Sequence, residues 1–166
     1  MKALILAAGY ATRMYPLDQK LPKALLPIGL DTVMGNTVRL INEVPEINDI
    51  IIASHHRFIG DFRRWLEQYR GWIPVDLLDD GTTDIAGSLG AIGDICFCID
   101  KKQLDEDVLI IAGDTDYHFS LGGFLSAWLS NGQDGVCVKR VEDPALLRHM
   151  GVTYDGITGV KEESAL

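Results

Sequence analysis

Cysteine is scarce in this chain: Cys96, Cys98 and Cys137 are the three among 166 residues. An odd number without the pair-of-pairs spacing of a zinc site points to reduced, partly buried thiols in a cytoplasmic protein. Long apolar runs are missing too. None nears the roughly 18 residues of a membrane span, and the short N-terminal apolar stretch, with its single Lys, does not read as a secretory signal. Basic residues are few, 15 against 24 acidic, for a net charge of −9. That balance counts against nucleic acid and anionic membranes as partners. Neither GxxxxGK[ST] nor GxGxxG occurs, and no nucleophile with a base and an orienting third group can be picked out. Internal repeats, low-complexity tracts and linkers are absent, so one domain over 1–166 is expected.

What is present gathers near the start. Residues 3–8 form an apolar run of the kind that fills a strand buried on both faces, and Gly9 ends it. A loop with Thr12 and Arg13 follows, then Lys20 and Lys23 around Pro22. Lys2, Arg13, Lys20 and Lys23 against Asp18 alone give residues 1–29 a net +3 in a chain of −9. Small residues let backbone N–H groups approach a phosphate. Arg13 offers a planar fork for phosphate oxygens and Lys23 a point charge, which Pro22 sends off in a fixed direction. A glycine-containing turn with ordinary surface cations fits the same residues.

Strands and helices alternate along the rest. Apolar runs predict strands at 49–53, 72–78, 108–112 and 135–139. Amphipathic spacing predicts helices over 31–44, capped by Asp31 or Thr32, and over 58–69, 85–99 and 120–132. Residues 143–149 read as a short polar helix or loop. Residues 152–160 read as a hairpin turning at Asp155-Gly156. The fold class implied is α/β: three αβα layers around a mostly parallel sheet covered on both faces. Ligands of such sheets bind beyond the carboxyl ends of strands, and both Gly9 and Asp114 fall at such ends. Asp114 reads either as a carboxylate for a hard divalent ion or as a turn residue. The adjacent His55 and His56 point apart and read as loop residues.

The stretch LAAGYATRMYPL, followed by LPKALLPIG, resembles the opening of the sugar-1-phosphate nucleotidylyltransferases, the nucleoside-diphosphate-sugar pyrophosphorylases. The match runs from Leu6 to Pro27, with Ala11 where Gly is usual. The resemblance implies a Rossmann-like nucleotidyltransferase fold and transfer of a nucleotidyl group from an NTP to a sugar 1-phosphate, releasing pyrophosphate. It implies that the backbone of Leu6, Ala7, Ala8, Gly9 and Thr12 cradles the nucleotide. Arg13 grips the leaving phosphates, Lys23 neutralises the α-phosphate or the incoming one, and Asp114 binds Mg²⁺. Gly81, Thr82 and Gly87 are candidates for facing the base. Gly151 and Glu162 match positions of the sugar site.

Two departures accompany the resemblance. Glu163 and Ser164 stand where the family has Lys and Pro, and its members normally run well past residue 166. The usual C-terminal part is therefore expected to be missing, leaving uncovered surface and a tendency to homo-oligomerise. A non-catalytic nucleotide-binding or regulatory module and a nucleotide-sugar glycosyltransferase remain alternatives. The latter rests on the Asp114-Thr115-Asp116 triplet.

Overall fold

The computed structural model describes residues 1–10, 21–138, 152–155 and 159–162; within 152–162 it describes the backbone. Thr12, Arg13, Gly151 and the 143–149 segment lie outside the described residues. The chain divides into two compact units, Met1–Leu125 and Ser126–Leu166.

The first unit is built on four parallel strands: β1 (Lys2–Leu6), β4 (Asp49–Ser54), β5 (Val75–Asp79) and β6 (Val108–Ala112), in the order β5-β4-β1-β6. The apolar run at the N-terminus is apolar because β1 lies inside the sheet. Leu4 pairs with Ile51 on one side and Ile110 on the other, and Ala3, Leu4 and Ile5 are fully buried. β4 is likewise buried along 50–54. β6 reads just as apolar, yet Ile110 is exposed. Among the described residues β6 pairs with β1 alone, and along it the buried Leu109 and Ile111 alternate with the exposed Ile110 and Ala112.

Handedness places the helices. From β1 the chain passes α1 (Val33–Asn42) to β4, then α2 (Ile59–Glu67) to β5, stepping one way across the sheet. It then returns through α3 (Gly90–Lys102) to β6 on the far side of β1. Right-handed crossovers put α1 and α2 on one face and α3 on the other. On the α3 face Cys98 packs with Leu4, Ile51 and Ala53. The opposite-facing Ala3, Ile5, Ile50 and Ile52 are buried as well. The three-layer architecture follows.

Local chemistry sets the element ends. Thr32 caps α1, its Oγ1 accepting from the Gly35 N–H at 3.0 Å. Two short strands, β2 (Pro27–Ile28) and β3 (Asp31–Thr32), pair antiparallel just before it. β5 starts at Val75 rather than Trp72 because the N–H groups of Trp72 and Ile73 donate to the Asn42 side chain instead of a ladder. α3 starts at Gly90 rather than Ile85. Gly90 has φ +69°, which no helix interior accepts, and the Gly87 N–H is taken by Asp84 Oδ1.

α4 (Leu121–Asn131) is capped by Ser120, whose Oγ accepts from Gly123, and ends at Gly132 with φ +60°. The strand expected at 135–139 is not formed over 135–138: these residues have no regular structure, and Val136 and Val138 are largely exposed. Apolar composition supplies β propensity but no ladder partner. In the second unit β7 (Val152–Asp155) pairs antiparallel with β8 (Gly159–Glu162). The hairpin closes on the Asp155/Gly159 pair. Asp155 of the expected Asp-Gly turn is thus a strand residue, and Gly156 lies outside the described residues.

Candidate active site

The strand order reverses between β1 and β6, and the crevice beyond their carboxyl ends is where such sheets take ligands. A cavity of about 250 Å³ opens there. Four stretches line it: residues 6–9 after β1, Lys23 and Ala24, the start of α3 with Ser88, Gly90, Ala91 and Asp94, and residues 112–114 after β6.

Gly113 joins the two strand ends. Its N–H donates to the Leu6 carbonyl at 2.8 Å. A Cβ on Gly113 would sit 2.8 Å from that same oxygen and 3.1 Å from Ala7 Cβ. Glycine is thus required for the approach that sets Asp114 at the cavity. Gly9 is different. It lacks a positive φ, and a Cβ there would meet nothing within 4 Å. The internal packing makes no demand for glycine at this position. A small residue there keeps open the cavity wall along which a ligand can reach the backbone.

Pro22 precedes a single 3-10 turn, Lys23–Leu25, in extended backbone with φ −66° and ψ 146°. The turn directs Lys23 inward: its Nζ lies 3.5 Å from Asp114 Oδ2. Of the residues marked in the sequence, Leu6, Ala7, Ala8, Gly9, Lys23 and Asp114 meet at this cavity. Gly81, Thr82 and Gly87 do not line it. Gly81 and Thr82 are held in their own turn, where the Gly81 N–H donates to Asp79 Oδ1 and Thr82 N–H and Oγ1 to Asp80 Oδ1. Glu162 lies in β8 of the second unit. His55 and His56 follow β4 outside regular helix or strand apart from a 3-10 turn.

Asp114 suits a hard cation. Mg²⁺ takes one or two carboxylates and completes its shell with water and substrate phosphate, so the carboxylate beside Lys23 fits it. No cluster of three or more His, Cys, Asp or Glu side chains arranged for a metal occurs among the described residues.

Sequence reasoning did not single out Asp94. It is the one buried acid among the described residues, at 5% exposure. Burial, with the Asp80 carboxylate alongside and hydrogen-bonded to it, pushes its carboxyl up to about 6. Burial, together with Asp94 and Asp80, also pushes the Cys98 thiol one turn further along α3 up to about 11, leaving it inert at neutral pH. The available signal was the i, i+4 pairing of Asp94 with Cys98, which puts a carboxylate on the inward face of α3. His55 is the loop residue the sequence suggests, and it packs in the core. It is fully buried, stacked on Tyr10 with centroids 4.1 Å apart and against Phe58 at 4.8 Å. Burial lowers its pKa. Tyr10 in turn donates to Thr82 Oγ1 at 2.9 Å, tying the loop after β1 to the loop after β5.

A doubly wound parallel sheet, with a lysine and a carboxylate meeting beyond its switch point, defines a three-layer α/β protein with one cavity at the strand ends. Residues 2–147 match the nucleotidyl transferase family, and the chain belongs to it. A mannose-1-phosphate guanyltransferase of Emericella nidulans is 28% identical over 155 residues, covering 87% of this chain and 39% of that protein. The bifunctional protein GlmU of Methanocaldococcus jannaschii is 24% identical over 144 residues, 87% of this chain and 31% of that one. Among solved structures, HddC from Yersinia pseudotuberculosis superposes with a TM-score of 0.63 at 19% identity, covering 77% of this chain and 54% of that one. The chain spans about a third to two-fifths of the length of these curated relatives. No helix among the described residues is long and apolar enough to cross a membrane.

Proposed function

We propose that this chain binds a nucleoside triphosphate with Mg²⁺ and transfers its nucleotidyl group to a sugar 1-phosphate, releasing pyrophosphate. The observation that carries this reading is the 3.5 Å approach of Lys23 to Asp114 across the switch point. Two segments far apart in sequence deliver a cation and a hard-oxygen ligand to one cavity.

The attacking phosphate has a second pKa of about 6 and is already an anion at neutral pH, so the reaction needs no general base. The difficulty is to bring anions together and to stabilise the charge leaving on pyrophosphate. Lys23 neutralises the α-phosphate or the incoming one. The Ala7 N–H is taken by the Ala53 carbonyl at 2.9 Å, so the backbone of Ala8 and Gly9 donates to phosphate oxygens, and Arg13 grips the leaving pair. Asp114 holds Mg²⁺, an ion whose chemistry here is neutralisation of phosphate charge. Until a ligand arrives, Lys23 and Asp114 offset each other's charge.

A second reading, nucleotide binding without transfer, is favoured by Glu163 and Ser164 standing in place of the family's Lys and Pro. The test is pyrophosphate release with each NTP, Mg²⁺ and a panel of sugar 1-phosphates. Release that depends on both substrates supports transfer. NTP binding without release favours the second reading, and no NTP binding overturns both.

A further inference from the structure

The first-turn side of α3 carries a feature that phosphate binding leaves unused. Asp94 lines the cavity while being 5% exposed. The Asp80 carboxylate lies beside it. Its Oδ1 is buried and has no hydrogen-bond partner among the described residues. A buried carboxylate oxygen left without a donor costs about 1–3 kcal/mol or more, unless a ligand supplies the donor.

We propose that Asp94 is a specificity-determining residue of the nucleotide cavity, its free oxygen accepting an N–H from the exocyclic amino group of the bound base. This inference rests on the nucleotide reading above. Charge decides which part of a nucleotide Asp94 faces. Phosphates belong with Lys23 and the Mg²⁺ proposed at Asp114; Asp94 has a second acid, Asp80, beside it and repels them, so its side of the cavity takes the uncharged nucleoside. The groups around Asp94 fix its role. Asp80 Oδ1 already accepts from Thr82 N–H and Thr82 Oγ1 at 2.7 and 2.8 Å, and Thr82 Oγ1 accepts from Tyr10. The network is anchored from the Asp80 side and leaves Asp94 Oδ1 as an acceptor. Guanine, adenine and cytosine each present an amino group. Uracil presents one N–H flanked by two carbonyl oxygens, which a carboxylate repels.

The experiment is calorimetric titration of the intact chain with GTP, ATP, CTP and UTP in Mg²⁺, without sugar phosphate, for the wild type, Asp94→Leu, Asp94→Ala and Asp94→Asn. The wild type is expected to bind at least one amino-bearing nucleotide at least about tenfold more tightly than UTP, the scale of one hydrogen bond to a charged group. Asp94→Leu abolishes that preference, and Asp94→Ala reads the same loss should leucine prevent folding. Asp94→Asn, which keeps an acceptor oxygen, retains the order of preference. Equal binding of all four nucleotides, tightest binding of UTP, or an unchanged ranking in Asp94→Leu overturns this assignment and leaves the nucleotide reading standing. Failure of the wild type to bind any of the four overturns that reading, and this one with it.

Discussion

Lys23 Nζ stands 3.5 Å from Asp114 Oδ2 at the point where the order of the parallel strands reverses. A surface ion pair of this kind contributes little to stability, on the order of 0–1 kcal/mol. Its two members matter for what they can hold. Lys23→Ala is expected to leave Tm nearly unchanged while weakening NTP binding at least about tenfold, the scale of losing a charge-assisted contact. Arg13→Ala is expected to lower kcat by at least about a hundredfold. Titration and steady-state assays separate the two effects, and unchanged turnover in Arg13→Ala removes that residue from the mechanism.

Gly113→Ala places a methyl 2.8 Å from the Leu6 carbonyl oxygen and 3.2 Å from Ile5 Cγ2. Backbone cannot yield as a flexible side chain does. The expected cost is about 1–3 kcal/mol of stability, together with loss of Mg²⁺-dependent NTP binding as Asp114 is displaced. Gly9→Ala has open space around its new methyl. It is expected to keep Tm and lose affinity, and a thermal-shift series with and without NTP distinguishes the two variants.

Asp94 makes stability depend on pH with a definite sign. Its folded pKa is raised from 3.8 to about 6, so the folded state holds a proton that the unfolded chain has released. Stability therefore falls as pH climbs from about 4 through 6, by up to about 3 kcal/mol. Asp94→Leu is expected to raise Tm at pH 7.5 and to change it much less near pH 4. A Tm gain equal at both ends contradicts the raised Asp94 value.

His55 acts in the opposite sense. Both ring nitrogens are buried without hydrogen-bond partners among the described residues, and burial lowers its pKa below 6.5. The unfolded chain takes up this proton first, so stability drops as pH falls below about 6.5. His55→Phe keeps the contacts with Tyr10 and Phe58 and removes the titration. Its Tm is expected to exceed that of the wild type at pH 5 by more than at pH 8.

Much of this architecture could be read from residues alone, and for identifiable reasons. β1, β4 and β6 are apolar runs closed by polar or glycine residues, so local composition suffices. Gly9, Lys23 and Asp114 could be placed at one site because parallel topology sends strand ends to one edge. What escaped the sequence depended on partners far along the chain. Trp72 and Ile73 look like strand, but Asn42 takes their N–H groups. Ile85 and Leu89 keep helical spacing, but Gly90 at positive φ blocks a continuous helix. Asp94 is an ordinary helix residue by spacing. Its character comes first from burial and then from Asp80, which the β5–α3 connection brings beside it.

The position of β1 between β4 and β6 has a bearing on synthesis. As the nascent chain leaves the ribosome, its first strand must wait for one neighbour from residues 49–54 and another from residues 108–112. Pairings this distant in sequence form slowly. The β1–β6 seam, with the cavity beyond it, therefore closes only once residues 108–112 have been made, long after β1 itself has emerged.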